Sequence, residues 1–241
     1  YVVENSINVQ GGIFMDNFNV YKDIQARTKG EIYIGVVGPV RTGKSTFIKR
    51  FMELAVLPAM EDESLKAVST DELPQSAGGK TVMTMEPKFI PKEAVQITLG
   101  DGIQAKVRLI DCVGYMVDGA AGHVENGEER MVKTPWSEKE IPFTQAAQIG
   151  TRKVIGDHST IGIVVTTDGS VGELKRSAYI DAEKQTVDEL KKLGKPFILL
   201  LNSTKPYSDE TLKLAEQLAA DYGVTVLPVS CEQLKKEDIF H

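Results

Sequence analysis

Cysteine is almost missing from this sequence, with Cys112 and Cys231 the only two in 241 residues. That excludes a disulfide framework. With no metal-ligand spacing around either thiol, a reducing, cytoplasmic compartment is the expected setting. The histidines, His123, His158 and His241, are scattered without ligand spacing either. Long apolar runs are lacking as well. The longest, such as Phe197 to Leu201, have the length of a buried strand and fall far short of the ~20 residues a bilayer demands, so no transmembrane segment is expected. No positively charged stretch leads into a long apolar one near the start, which argues against a secretory signal. Basic excess is also absent: 28 Lys and Arg face 34 Asp and Glu, a net charge of −6. That balance argues against non-specific nucleic-acid binding, which needs a basic face.

What is present suits a folded domain. Hydrophobic residues make up 41% and aromatics 7%, enough to bury a sizeable core. The length admits one large domain or two small ones, and an α/β domain of this size often runs as one. Tyr1 to Phe14, rich in Asn, Ser, Gln and Gly, reads as a flexible tail or an appended remnant ahead of Met15. Residues 15–241 read as one domain, led by a short helix over Asp16 to Thr28.

Ile32 to Val37 is a β-branched run ending at Gly38, apolar on both faces as in a central parallel strand. Thr42 to Leu57 reads as a helix, with Phe47, Ile48, Phe51, Leu54 and Ala55 on one stripe and Pro58 as its stop. Met60 to Thr81 is polar and acidic, an extended or partly helical loop. Val95 to Leu99 and Ile103 to Ile110 alternate around Asp101-Gly102, the strongest short-range hairpin signal, so these two strands are expected to be antiparallel. Gly114 to Gly150 is a long segment without clear periodicity, in which Trp136, Pro135 and Pro142 read as a packed loop. Three strand–helix units then follow: Ile161 to Thr166 with Tyr179 to Leu193, Phe197 to Asn202 with Glu210 to Tyr222, and Val224 to Val229 with a short helix from Glu232. This order implies an α/β fold, a mostly parallel sheet with one antiparallel strand and helices on both faces.

The chemistry concentrates in a few places. Gly38-Pro39-Val40-Arg41-Thr42-Gly43-Lys44-Ser45 fits G-x-x-x-x-G-K-[ST] between a predicted strand and a predicted helix. Gly38 and Gly43 let the backbone wrap until successive N–H groups face phosphate oxygens at a helix N-terminus. Lys44 would neutralise the β- and γ-phosphates and Ser45 would offer a hydroxyl to Mg²⁺, with Thr42 and Thr46 completing the contacting stretch. The fold class is therefore a P-loop NTPase. Asp111 ends an apolar strand and Gly114 follows three residues later: the carboxylate suits Mg²⁺ and its water, and the glycine N–H suits a γ-phosphate. Between these elements Thr81 and Thr84 are both candidate sensors of the γ-phosphate and ligands of Mg²⁺, with Thr84 favoured just ahead of Glu86-Pro87. Arg41 either brings positive charge to the phosphates or is a solvated loop residue.

The base end departs from the guanine pattern Asn-Lys-x-Asp. Here Asn202-Ser203-Thr204-Lys205 keeps the asparagine, replaces the lysine that would pack along the base, and replaces the aspartate with a cation. A cation facing two guanine donors is repulsive, and an unpaired buried donor costs more than a good pair gains. ATP is thus expected over GTP. Val229-Ser230-Cys231 occupies the place of the loop that closes over the base, which adds Ser230 to Asn202 and Ser203 as base-side candidates. Cys112 reads as core, since no base lies near it in a recognisable pattern.

These motifs, taken with Asp71 to Thr81, Thr134-Pro135-Trp136, Glu140 to Phe143, Ile149 to Val154 and His158-Ser159-Thr160, resemble the stage IV sporulation protein A family, the spore-coat morphogenetic ATPases of endospore-forming bacteria. The similarity runs from about Phe18 to Ile239. It implies a translation-factor-like P-loop domain and Mg²⁺-dependent ATP hydrolysis coupled to polymerisation on the forespore surface, reached from the mother-cell cytosol. The partners it implies are other copies of the chain, spore coat proteins and a small membrane-anchoring protein. The family's sensor threonines fall on Thr84 and Met85, which leaves Thr84 to act alone. Polymer and membrane contacts attributed to further C-terminal domains are not carried over. The competing expectations are a GTPase with a divergent base loop and a structural protein that binds nucleotide without turnover.

Overall fold

The computed structural model describes residues 30–74, 87–98, 104–120, 123–125 and 127–240. The expected leading helix, the Asp101-Gly102 turn, the sensor candidates Thr81 and Thr84, and Met85 beside them lie outside the described residues.

Strand β1 (Glu31–Val37) runs between β3 (Gln104–Asp111) and β8 (Ile161–Thr167), parallel to both. The sheet continues through β9 (Phe197–Asn202) to β10 (Val226–Val229), again parallel. Its order is β10-β9-β8-β1-β3-β2. The outermost strand, β2 (Lys88–Thr98), is antiparallel to β3, as the alternating pattern around Asp101-Gly102 predicts. It begins earlier than that pattern, because a register shift between Ile90 and Val95 accommodates Pro91. The other margin, β10, carries Pro228.

Both sheet faces are covered. Ile32, Ile34 and Val36 pack on one side with Phe47, Ile48 and Phe51 of α1 (Lys44–Phe51) and with Leu234. Val37, Ile110, Val164, Leu199 and Leu201 pack on the other with Val154, Ile155, Val187, Leu190, Ala215 and Leu218. The predicted helix from Thr42 to Leu57 is not one regular helix: α1 passes into a π-helical turn, Met52–Val56, and a 3₁₀ turn, Leu57–Ala59, that contains Pro58. The buried pairs Phe47/Ile48, Phe51/Met52 and Ala55/Val56 recur every four residues. A wider turn keeps that spacing on one face where a regular α-helix would drift off it.

Within the stretch expected to be extended or partly helical, α2 (Glu63–Asp71) forms because the Asp62 carboxylate accepts from the N–H groups of Ser64 (2.8 Å) and Leu65 (3.1 Å). The long segment after Gly114 contains two hairpins, β4 (Val124–Glu125) with β5 (Glu128–Glu129) and β6 (Met131–Thr134) with β7 (Ser137–Pro142). Helix α3 (Phe143–Lys153) follows and ends in a second π-helical turn, Val154–His158. Its buried face is Phe143, Ala146, Ala147, Gly150 and Thr151, and after Phe143 these are too small or polar to announce an apolar stripe. The remaining helices, α4 (Ile180–Lys192), α5 (Asp209–Tyr222) and α6 (Lys236–Phe240), fall close to expectation. α6 begins four residues after Glu232, and β10 two residues after Val224. No helix among the described residues is long and apolar enough to cross a membrane.

Candidate functional site

The loop between β1 and α1 is held by sterics that only glycine meets. At Gly38, φ is 132° and a Cβ would lie 2.3 Å from the Val165 carbonyl oxygen. At Gly43, φ is 97° and a Cβ would lie 2.3 Å from Asn202 Nδ2. Arg41, at φ 63°, is the one non-glycine residue with positive φ among the described residues. Such a backbone is unfavourable for a side-chain-bearing residue and persists because the loop around it is braced. Its side chain is exposed.

Lys44 is almost fully buried, and its ammonium donates to the carbonyls of Pro39 (2.6 Å) and Gly38 (3.4 Å). Burial lowers its pKa, and the neighbouring Cys112 and Asp111 oppose that fall. Thr42 is fully buried and donates its hydroxyl to Pro39 O at 3.0 Å. The half-buried Ser45 and Thr46 follow in the first turn of α1.

Asp111 sits at the end of β3, within reach of Ser45: the hydroxyl donates to Oδ2 at 3.4 Å. Its other oxygen, Oδ1, is buried without a hydrogen-bond partner. Burial raises this carboxyl's pKa against the pull of Lys44, Ser45, the Cys112 amide and Lys88. A hydroxyl and an orphaned carboxylate oxygen side by side are hard donors that fit Mg²⁺. Among the described residues no cluster of three or more His, Cys, Asp or Glu could hold a metal. The chemistry here therefore suits an ion shared between one hydroxyl, a nearby carboxylate and an anionic ligand.

Gly114 closes the loop from the side of β3. Its φ is 93°, and a Cβ would lie 2.1 Å from Gly38 O and 2.6 Å from Lys44 Nζ. The next residue is zipped to the loop in both directions: Tyr115 N donates to Gly38 O (3.2 Å), and Val40 N donates to Tyr115 O (2.8 Å). Nothing in the sequence pattern singled out Tyr115.

Where a base was expected, the structure brings Asn202, Ser203 and Ser230 together and engages their polar atoms with neighbouring protein groups. Asn202 Nδ2 donates to Thr42 O and its Oδ1 accepts from Cys231 N, both at 2.9 Å. One side chain thus ties the phosphate loop, the end of β9 and the loop after β10. Ser203 is buried; its hydroxyl accepts from Lys205 N (3.0 Å) and lies 3.4 Å from Thr211 Oγ1. Ser230 Oγ accepts from Gln233 N at 3.3 Å. Lys205 is exposed.

A further brace went unrecognised in the sequence. Asp168 Oδ1 accepts from Ser170 N (2.8 Å) and Ser170 Oγ (2.6 Å), and Ser170 Oγ accepts from Thr204 N (2.9 Å). Burial pushes the Asp168 carboxyl up, but hydrogen bonds from Ser170, Ser203 and Thr211 outweigh it and hold the pKa below the usual value. The Asp-Gly-Ser turn directly after β8 was the available signal. Both thiols are core: burial pushes Cys112 up to about 11 and Cys231 up to about 12, far from reactive.

Residues 15–241 match the family model for the stage IV sporulation protein A ATPase domain. The chain is 53% identical over 225 residues to stage IV sporulation protein A of Bacillus subtilis (strain 168), covering 93% of this chain and 46% of that one. To the protein of the same name from Clostridioides difficile (strain 630) it is 54% identical over 223 residues, covering 92% and 45%. The chain therefore spans about half the length of the curated relatives it matches. Crystal structures of two SsGBP variants match at 15% identity with TM-scores of 0.44 and 0.45, over 91% and 92% of this chain and 55% and 58% of theirs, too slight a likeness to bear on the site. A glycine-fixed phosphate loop, an aspartate beside its serine and half-identity over nine-tenths of the sequence lead to one conclusion: this chain belongs to the stage IV sporulation protein A family and is its ATPase domain.

Proposed function

We propose that the loop from Gly38 to Thr46 holds the triphosphate of ATP, with Mg²⁺ between Ser45 and Asp111, and that hydrolysis drives self-assembly of the whole protein into a layer on the forespore surface. The observation that carries the reading is the approach of Ser45 to the half-satisfied Asp111 carboxylate beside the buried Lys44. Loop amides and the Lys44 ammonium neutralise the phosphates, for which Lys44 exchanges its carbonyl partners for phosphate oxygens. Asp111 and Ser45 hold the metal, which, when bound, offsets charge developing on the β- and γ-oxygens. Gly114 presents its N–H to the γ-phosphate, and Thr84 senses the same group. Arg41 adds charge at the loop's outer curve.

Specificity for adenine rests on Lys205 standing where a guanine site needs a carboxylate, while Asn202, Ser203 and Ser230 frame the base. Chemistry of this kind is positioning and charge neutralisation, so turnover without a partner is slow. The family's resemblance supports spore coat proteins and a small membrane-anchoring protein as partners, and the mother-cell cytosol as the compartment.

The test is a hydrolysis assay with ATP and GTP side by side on the parent chain, Lys44→Ala and Lys205→Asp. The parent should cleave ATP in preference, Lys44→Ala should lose nucleotide binding, and Lys205→Asp should move the preference toward GTP by about tenfold. Faster GTP cleavage by the parent would support the guanine reading instead. Triphosphate left intact after long incubation with Mg²⁺ would make the chain a nucleotide-binding scaffold.

A further inference from the structure

Gly114 is the group that must meet the γ-phosphate, and both side chains flanking it are anchored away from the nucleotide. Tyr115 turns its ring out of the phosphate side. It is 1% exposed and packs with Val40, Val117, Ala120, Tyr179 and Ala182. Its hydroxyl donates to Glu189 Oε2 on α4, and the other oxygen of that carboxylate accepts from Arg152 Nε on α3 at 2.8 Å. On the near side of Gly114, Val113 packs both against the Tyr115 group and against Val132, Phe143 and Ala146, the seam between the β6–β7 hairpin and α3.

Two independent routes thus lead from the residues around Gly114 to one helix. One is apolar, through Val113 to the start of α3; the other is polar, through Tyr115 and Glu189 to Arg152 near its end. The backbone of Tyr115 is at the same time bonded to Gly38 and Val40 on either side of Pro39. A displacement of Gly114 or of the loop cannot leave the Tyr115 hydroxyl in place unless the ring tilts within a closely packed cluster. Burial and the Glu189 carboxylate both push the tyrosine pKa up, so the hydroxyl stays a donor throughout the working pH range.

We propose that Tyr115 is a positioning residue that sets Gly114 against the phosphate loop and carries the nucleotide state to α3 and its preceding hairpin through Glu189 and Arg152. The proposal rests on the reading of Gly38 to Thr46 as an ATP site. It adds an output: the hairpin–α3 unit is the part of the chain that responds to the γ-phosphate.

The experiment uses the parent chain, Tyr115→Phe, Glu189→Gln and the double variant. It reads kcat and KM for ATP, together with amide hydrogen exchange with and without a non-hydrolysable ATP analogue and Mg²⁺. In the parent, the analogue should slow exchange over residues 38–48 and over residues 143–153. Tyr115→Phe should keep KM within about twofold, lower kcat about tenfold and lose the response over 143–153 while keeping it over 38–48. Glu189→Gln, which retains an acceptor, should fall between, and the double variant should be no worse than Tyr115→Phe alone. If Tyr115→Phe turns over at the parental rate, or keeps the analogue's effect on 143–153, the relay is wrong and Tyr115 is packing only. If the parent fails to bind the analogue, the ATP reading itself fails, and a protected 38–48 segment distinguishes that case from failure of the relay.

Discussion

The proposed phosphate end and base end of the site are built by different means. Around Lys44 the shape is fixed by backbone: at Gly38, Gly43 and Gly114 a methyl group would collide with a carbonyl oxygen, an amide or the ammonium itself. Around Asn202 the shape is fixed by side chains, a set of hydrogen bonds from Asn202, Ser203, Ser170 and Asp168 that holds three loops together. Backbone constraints admit almost no substitution, whereas a side-chain brace can be rebuilt from other polar residues. In the ATP site proposed above, the grip on triphosphate would rest on the first kind of construction and the choice of base, with Lys205, on the second.

The contrast can be broken most directly at Gly38. Gly38→Ala should lower stability by about 3 kcal/mol or more in urea unfolding and abolish nucleotide binding, since both φ and the Val165 carbonyl forbid the methyl. A folded, binding-competent Gly38→Ala chain would show that the phosphate loop is not backbone-fixed. Asn202→Ala should do less. It strands the Thr42 carbonyl and the Cys231 amide, costing about 2 kcal/mol in the same measurement, and should weaken ATP binding by loosening the loop from behind.

The smallest effect separates the two ends by pH. The Asp168 carboxyl is held below its usual pKa, so its contribution to stability is complete above the unfolded value of about 3.9 and fades as pH falls through the lower folded value. Asp111 is raised, so in the nucleotide-free chain its penalty is relieved as pH falls through the raised value toward about 3.9. Unfolding followed against pH should show Asp168→Asn flattening the acid-side loss, while Asp111→Asn removes a gain on acidification that lies at higher pH. Identical profiles for the two variants would erase the distinction.

Much of the phosphate end is legible in the sequence because glycine spacing records backbone shape directly. The parallel strands are legible too, since burial on both faces demands unbroken apolar runs such as Phe197 to Leu201. Helix α3 is not, because Ala146, Ala147, Gly150 and Thr151 pack by being small, which leaves no stripe to count. The double tie made by Asn202 joins residues that only the folded sheet brings together, and the outward anchoring of Tyr115 depends on a helix some seventy positions further on. The widening of α1 is half legible: buried pairs four residues apart fit a regular helix poorly, but each alone looks like ordinary amphipathic spacing.

The two margins of the six-stranded sheet are β2 and β10, and each contains a proline, Pro91 and Pro228. A second molecule laid along either margin as an extra strand would meet a residue with no amide hydrogen to share and, on β2, the charges of Lys88, Lys92 and Glu93. Pairing of two copies edge to edge along these margins is thereby disfavoured, and the self-assembly proposed above would draw on side-chain contacts from other faces.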